Sequence, residues 1–201
     1  MSNAPIRFHY SLRSPYVWLA VERIVREAIP VRPVPSLGFA SGTVFGDPAA
    51  NPPRLAYLIE DVARLATRLG LDLAMPASTP DTAWAGIHAA AETAQRQGAG
   101  PAFIHRAARA RWTQSADLAD PGVIARIAGE AGIDAAAAVA AMSDAALRAR
   151  MEADYLPLIE ADGVFGVPFF AFDAPDGGRH RYWGQDRMDL MLEEARALGV
   201  L

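Results

Sequence analysis

The chain has no cysteine and no lysine. The first absence excludes disulfide exchange by the protein's own thiols, a thiolate nucleophile in the protein, and any cysteine-ligated metal. The second excludes Schiff-base chemistry, pyridoxal phosphate attachment and a P-loop lysine. All nineteen basic residues are arginine, which in an alanine-rich chain reflects a GC-rich genome rather than a function. A thiol used in catalysis must therefore arrive on a small molecule.

Other classes of function are missing too. There is no apolar run of 18 residues, so no membrane span is expected. The net charge is −4, so no basic surface points to nucleic acid. Arg7 and His9 interrupt the first apolar stretch, which does not read as a secretory signal, and a cytoplasmic protein is expected. The histidines, His9, His88, His105 and His180, lack metal-ligand spacing, and no H-E-x-x-H or clustered acidic site appears, so no metal site is expected. No G-x-S-x-G elbow marks a triad nucleophile.

What remains is globular. The 201 residues are 52% hydrophobic and 21% charged, enough for one domain, or one domain carrying an insertion. The pattern reads β-α-β, a long helical block, then β-β-α. Ile6 to Tyr10 is the first strand, and a helix begins at Pro15 and runs to about Ala28, with apolar residues at helical spacing. Val31 to Pro35 is the second strand; Pro33 and Pro35 suit an edge. Leu37 to Pro53 is a Gly-, Ser-, Pro- and Asn-rich loop.

Helices follow over Pro53–Leu69, from Thr79-Pro80-Asp81 to near Gly98, over Pro101–Gln114, and from Asp120-Pro121 to Gly132. A short alanine-rich helix spans Asp134–Met142. The next is capped by Ser143, and Pro157 should kink it or end its regular part. Phe169–Phe172 and Arg181–Trp183 form a hairpin around a long charged turn. A last helix starts near Asp186 and runs to about Leu198.

Three constellations bear on chemistry. Ser14, in Arg13-Ser14-Pro15-Tyr16, follows the first strand directly. Serine before proline is ordinary helix-capping grammar, but here the hydroxyl also lies at the carboxyl edge of a sheet, where open α/β folds bind ligands. A helix N-terminus favours an anion, including an ionised thiol. The second is Val167-Pro168, in Gly163-Val164-Phe165-Gly166-Val167-Pro168, leading into the apolar strand. It is an ordinary turn or, if the bond is cis, a backbone platform for an extended thiol peptide. The third is Trp183-Gly184-Gln185-Asp186-Arg187, where Asp186 caps the last helix or helps hold a ligand ammonium group. Asn51 and Arg54 open the second long helix, and an arginine there suits a ligand carboxylate.

Together these segments resemble the 2-hydroxychromene-2-carboxylate isomerases of the DsbA-like thioredoxin superfamily, relatives of the kappa-class glutathione S-transferases. The resemblance covers nearly the whole chain. It implies an α/β, thioredoxin-like (DsbA-like) fold with a helical insertion: residues 1–36 and 160–201 form the discontinuous thioredoxin-like domain, and residues 37–159 the insertion. It implies glutathione as cofactor, an aromatic small-molecule substrate of the aromatic-compound degradation type, and a homodimer. Ser14 takes the place of the family's catalytic serine, which hydrogen-bonds the glutathione sulfur. Val167 and Pro168 match the loop that pairs with the glutathione backbone, and Gln185 and Asp186 the positions holding its γ-glutamyl end. Arg54, with Asn51 before it, stands where the family often has lysine. Arg13 and Tyr16, with Arg54, are candidates for holding the substrate carboxylate. The alternatives are a kappa-like glutathione transferase or peroxidase, a non-catalytic glutathione- or peptide-binding module, and a partner-binding scaffold.

Overall fold

The computed structural model describes residues 6–36 and 51–201. Four strands form one sheet, β1 (Ile6–Tyr10), β2 (Val31–Pro35), β3 (Phe169–Asp173) and β4 (Arg179–Trp183), in the order β2-β1-β3-β4. β1 runs parallel to β2, and antiparallel to β3 with Phe8 opposite Phe170. β1 is an inner strand covered on both faces, which explains why Ile6, Phe8, His9 and Tyr10 are all buried rather than alternating. Phe8 stacks between Tyr10 and Phe170 at 5.8 and 5.2 Å. β2 lies at the sheet edge as its prolines required.

α1 (Pro15–Arg26) buries Val17, Trp18, Leu19 and Val21 and packs on α4 (Gly100–Gln114). The other helices between the β-α-β and β-β-α halves are α2 (Pro52–Arg68), α3 (Trp84–Arg96), α5 (Pro121–Glu130), α6 (Ala135–Ala141) and α7 (Ala145–Asp162); α8 (Met188–Ala197) follows β4. This is the thioredoxin-like arrangement with a helical insertion. Among the described residues no helix is long and apolar enough to cross a membrane.

Several local expectations are corrected. Thr79 does not cap α3. A single 3-10 turn, Asp81–Ala83, precedes that helix without a side-chain cap, and the Thr79 hydroxyl instead binds Asp117 and Arg111. Asp144, not Ser143, caps α7, accepting from the Leu147 amide at 2.9 Å; two adjacent capping residues compete and the carboxylate wins. α7 continues past Pro157 to Asp162. Asp186 does not cap the last helix: it sits in a 3-10 turn, Gln185–Arg187, and pairs with Arg187 at 2.9 Å. The strands β3 and β4 each reach further than expected, so the hairpin turn is shorter. Most of the Leu37–Pro53 loop lies outside the described residues.

The charged hairpin has a structural role. Arg7 grips the Asp162 carboxylate with Nε at 2.7 Å and Nη2 at 2.9 Å, and reaches Asp173 with Nη1 at 2.8 Å. His9 Nε2 donates to Asp162 at 2.7 Å, and Arg179 Nε to Asp173 at 2.7 Å. Burial pushes the Asp162 carboxyl up, but the hydrogen bonds from His9 and Arg7 outweigh it and bring its pKa to about 2. The network ties the end of α7 to β1 and β3, and so fixes where the loop from Gly163 to Pro168 begins.

Candidate functional site

β1 ends at Tyr10, and the backbone turns through Ser11, Leu12 and Arg13 before α1. Two contacts hold this turn. The Ser14 amide donates to the Ser11 carbonyl at 3.0 Å, and the Leu12 amide donates to His88 Nε2 at 3.2 Å. His88 is buried on α3 against Tyr10 and Trp84. Burial pushes its pKa down to about 4, so it is a neutral acceptor at pH 7.

Ser14 is the N-cap of α1, with Oγ accepting from the Val17 amide at 3.4 Å and Pro15 as the first helical residue. The same hydroxyl donates to the Val167 carbonyl at 3.4 Å. The Val167-Pro168 bond is cis. The structure therefore brings Ser14, Val167 and Pro168 together at the carboxyl edge of β1, beside the positive end of α1.

Pro168 is tied to the third constellation: its carbonyl accepts from the Gly184 amide at 2.9 Å. Gly184 has φ 105°, a conformation that disfavours a side chain. A Cβ at Gly166 would stand 2.8 Å from Trp183 Nε1, so this loop packs closely against Trp183 because position 166 is glycine. Val167, Pro168, Trp183, Gly184, Gln185 and Asp186 share one cavity of about 470 Å³ with Tyr16 of α1 and with Tyr57, Asp61 and Leu65 of α2. Such a volume holds a small peptide.

The remaining candidates are placed differently. Tyr16 lines the cavity, but its hydroxyl donates to Asp61 at 2.9 Å. Burial first, and that bond second, push the phenol well up, so it stays protonated. Asn51 caps α2 by accepting from the Arg54 amide at 3.2 Å, and neither residue lines the cavity. Arg13 also stands outside it and pairs with Asp81 at 3.1 Å. The contacts of Asp61 and His88 are not legible in the sequence, because a carboxylate and a histidine inside helical segments carry no local signal of them. Among the described residues no group of histidine and acidic side chains is gathered to hold a metal ion.

The description "DSBA-like thioredoxin domain" matches residues 5–196. No curated protein sequence matches the chain. Among solved structures, a 2-hydroxychromene-2-carboxylate isomerase is similar at a TM-score of 0.77 and 22% identity, over 96% of this chain and 94% of that one. The cytosolic disulfide reductase DsbM from Pseudomonas aeruginosa is similar at 0.65 and 20%, over 96% and 98%, and it has also been solved with GSH. A probable DsbA oxidoreductase from Streptomyces coelicolor is similar at 0.72 and 17%, over 96% and 89%.

Proposed function

The chain belongs to the DsbA-like thioredoxin family, and from that premise we propose that it is a glutathione-dependent isomerase. Its substrates would be of the 2-hydroxychromene-2-carboxylate and trans-o-hydroxybenzylidenepyruvate type. The observation that carries the proposal is the Ser14 hydroxyl at the α1 N-terminus, in contact with the Val167 carbonyl. A disulfide enzyme of this fold needs a cysteine where Ser14 stands, and this chain has none anywhere. The fold's likeness to an isomerase supports the same reading.

The residues fit glutathione. The cavity between Tyr16, Pro168 and Asp186 has room for a tripeptide, and Gly184 keeps its backbone open. Val167 and Pro168 would pair with the peptide backbone, and Gln185 and Asp186 would hold the γ-glutamyl ammonium end. When bound, glutathione supplies a thiol that adds reversibly to a conjugated double bond. Ser14 Oγ–H and the positive end of the α1 dipole favour negative charge at that sulfur. A helix end carrying a fixed dipole does this without reorganising during the reaction. A cytoplasmic setting, where reduced glutathione is plentiful, suits this chemistry.

The test is a calorimetric glutathione titration of the native chain, Ser14→Ala and Asp186→Ala. Binding weakened by both changes supports the site, and absence of binding to the native chain removes the proposal. With substrate present, net loss of glutathione would instead indicate a transferase.

A further inference from the structure

A second cluster lies beside Ser14 and outside the glutathione cavity. Arg111, near the end of α4, is only 7% accessible. Its guanidinium carbon stands 4.8 Å from the centre of the Trp84 ring and 5.2 Å from that of Trp112. Nη1 donates to the Ala77 carbonyl at 3.2 Å and to Thr79 Oγ1 at 2.9 Å. Among the described residues no carboxylate is within ion-pairing distance of it. The acid whose field it feels is Asp117, and that carboxylate already accepts from Thr79 and from the Ala119 amide.

Arg111 Nε, Trp84 Nε1 and Trp112 Nε1 are buried donors with no acceptor among the described residues. The cation's own Nε and two indole N–H groups beside it mark a place for an acceptor that the described residues do not supply. The charge is also kept against resistance: burial first, and then the neighbouring Arg13, bring the Arg111 pKa down to about 10. The cluster abuts the catalytic turn on two sides. Trp84 is near His88, which holds the Leu12 amide, and Trp112 stacks on Trp18 of α1 at 6.5 Å.

We propose that Arg111, with Arg13, Trp84 and Trp112, forms an anion subsite that receives the carboxylate of a planar aromatic acid and presents its body to the Ser14 side of the cleft. A guanidinium matches a carboxylate in shape and donor geometry, and the apolar indole surroundings suit an organic acid better than a hydrated inorganic anion. This deepens the proposed function, since it assigns the group that recognises the substrate's charge. Arg111 replaces Arg13 as the principal contact, and Arg13 becomes its auxiliary.

The test needs no turnover. trans-Cinnamate is titrated into the native chain, Arg111→Met, Arg111→Gln and Arg13→Gln without glutathione, and glutathione is titrated separately. The native chain should bind cinnamate saturably, both Arg111 variants at least tenfold more weakly, and Arg13→Gln more weakly by a smaller factor. Arg111→Met should melt no lower than the native chain, because a buried charge without a counter-ion gives way to an apolar side chain of similar length. Glutathione affinity should not change. Equal cinnamate binding by the native and Arg111 variants, or no binding by the native chain, overturns the subsite, as does tighter binding of inorganic phosphate. If Arg111→Met fails to fold, Arg111→Gln and the native titration decide. Loss of glutathione binding in every protein, with cinnamate binding intact, would sink the glutathione proposal and leave the subsite standing.

Discussion

The Ser14 hydroxyl and the Val167 carbonyl meet at 3.4 Å across 153 residues of sequence. One hydroxyl thus joins the N-terminus of α1 to the loop before β3, since it also caps α1. Ser14→Ala should cut the proposed isomerisation by at least about 100-fold, in the range seen when one stabilising donor is removed. It should cost only about 1 kcal/mol of stability as a lost cap. Steady-state rates beside a thermal melt separate the two effects; an unchanged rate would remove Ser14 from the chemistry.

Gly184→Ala should damage the site without touching a ligand. At φ 105° a side chain is strained, and its Cβ would come 2.4 Å from Asp186 Oδ1. The expected cost is about 1–3 kcal/mol, together with weaker glutathione binding as Asp186 and the Gly184–Pro168 hydrogen bond shift. Denaturant unfolding and calorimetry on the same samples check both.

His88 makes the turn before Ser14 sensitive to mild acid. Its folded pKa, about 4, lies below the ordinary histidine value of 6.5. The unfolded chain therefore takes the proton first as pH falls. Stability should decline between pH about 6.5 and about 4 and then level off, a loss of about 3 kcal/mol from this group. His88→Gln keeps an acceptor for the Leu12 amide but cannot titrate, so its stability should be flat across that window.

Asp162 acts in a separate, more acidic window. Its folded pKa of about 2 is depressed, so the stability it confers is present above the unfolded value near 4 and is lost as pH falls through about 2. The amount is about 2 kcal/mol. Asp162→Asn should abolish this acid phase, and it should be destabilised by about 3–5 kcal/mol at pH 7 because Arg7 and His9 lose their shared partner. Acid unfolding curves at constant ionic strength test both.

What the sequence made legible was local grammar. Ser14-Pro15 predicts a cap and a helix start because both effects act within one turn, and Pro33 and Pro35 predict an edge because proline lacks an amide proton. Capping went wrong where neighbours compete: Asp144 displaced Ser143, and Thr79 was drawn away to Arg111 and Asp117. Tyr16 and Arg13 were readable as residues near Ser14, but their partners Asp61 and Asp81 come from other elements. Arg111 was invisible in the sequence, since nothing local distinguishes a sandwiched, desolvated arginine from the eighteen others on helix faces, strands and turns.

The pairing of β1 with β3 constrains how the protein can be made. Phe8 needs Phe170 beside it, so a ribosome must synthesise every helix of the insertion before the centre of the sheet can close. Until then the emerging β-α-β segment keeps one apolar strand edge unpaired, open to the wrong partner. Expression yield should thus respond most to changes that speed the arrival of β3, and a chain truncated before Phe169 should aggregate rather than fold into a smaller, working cleft.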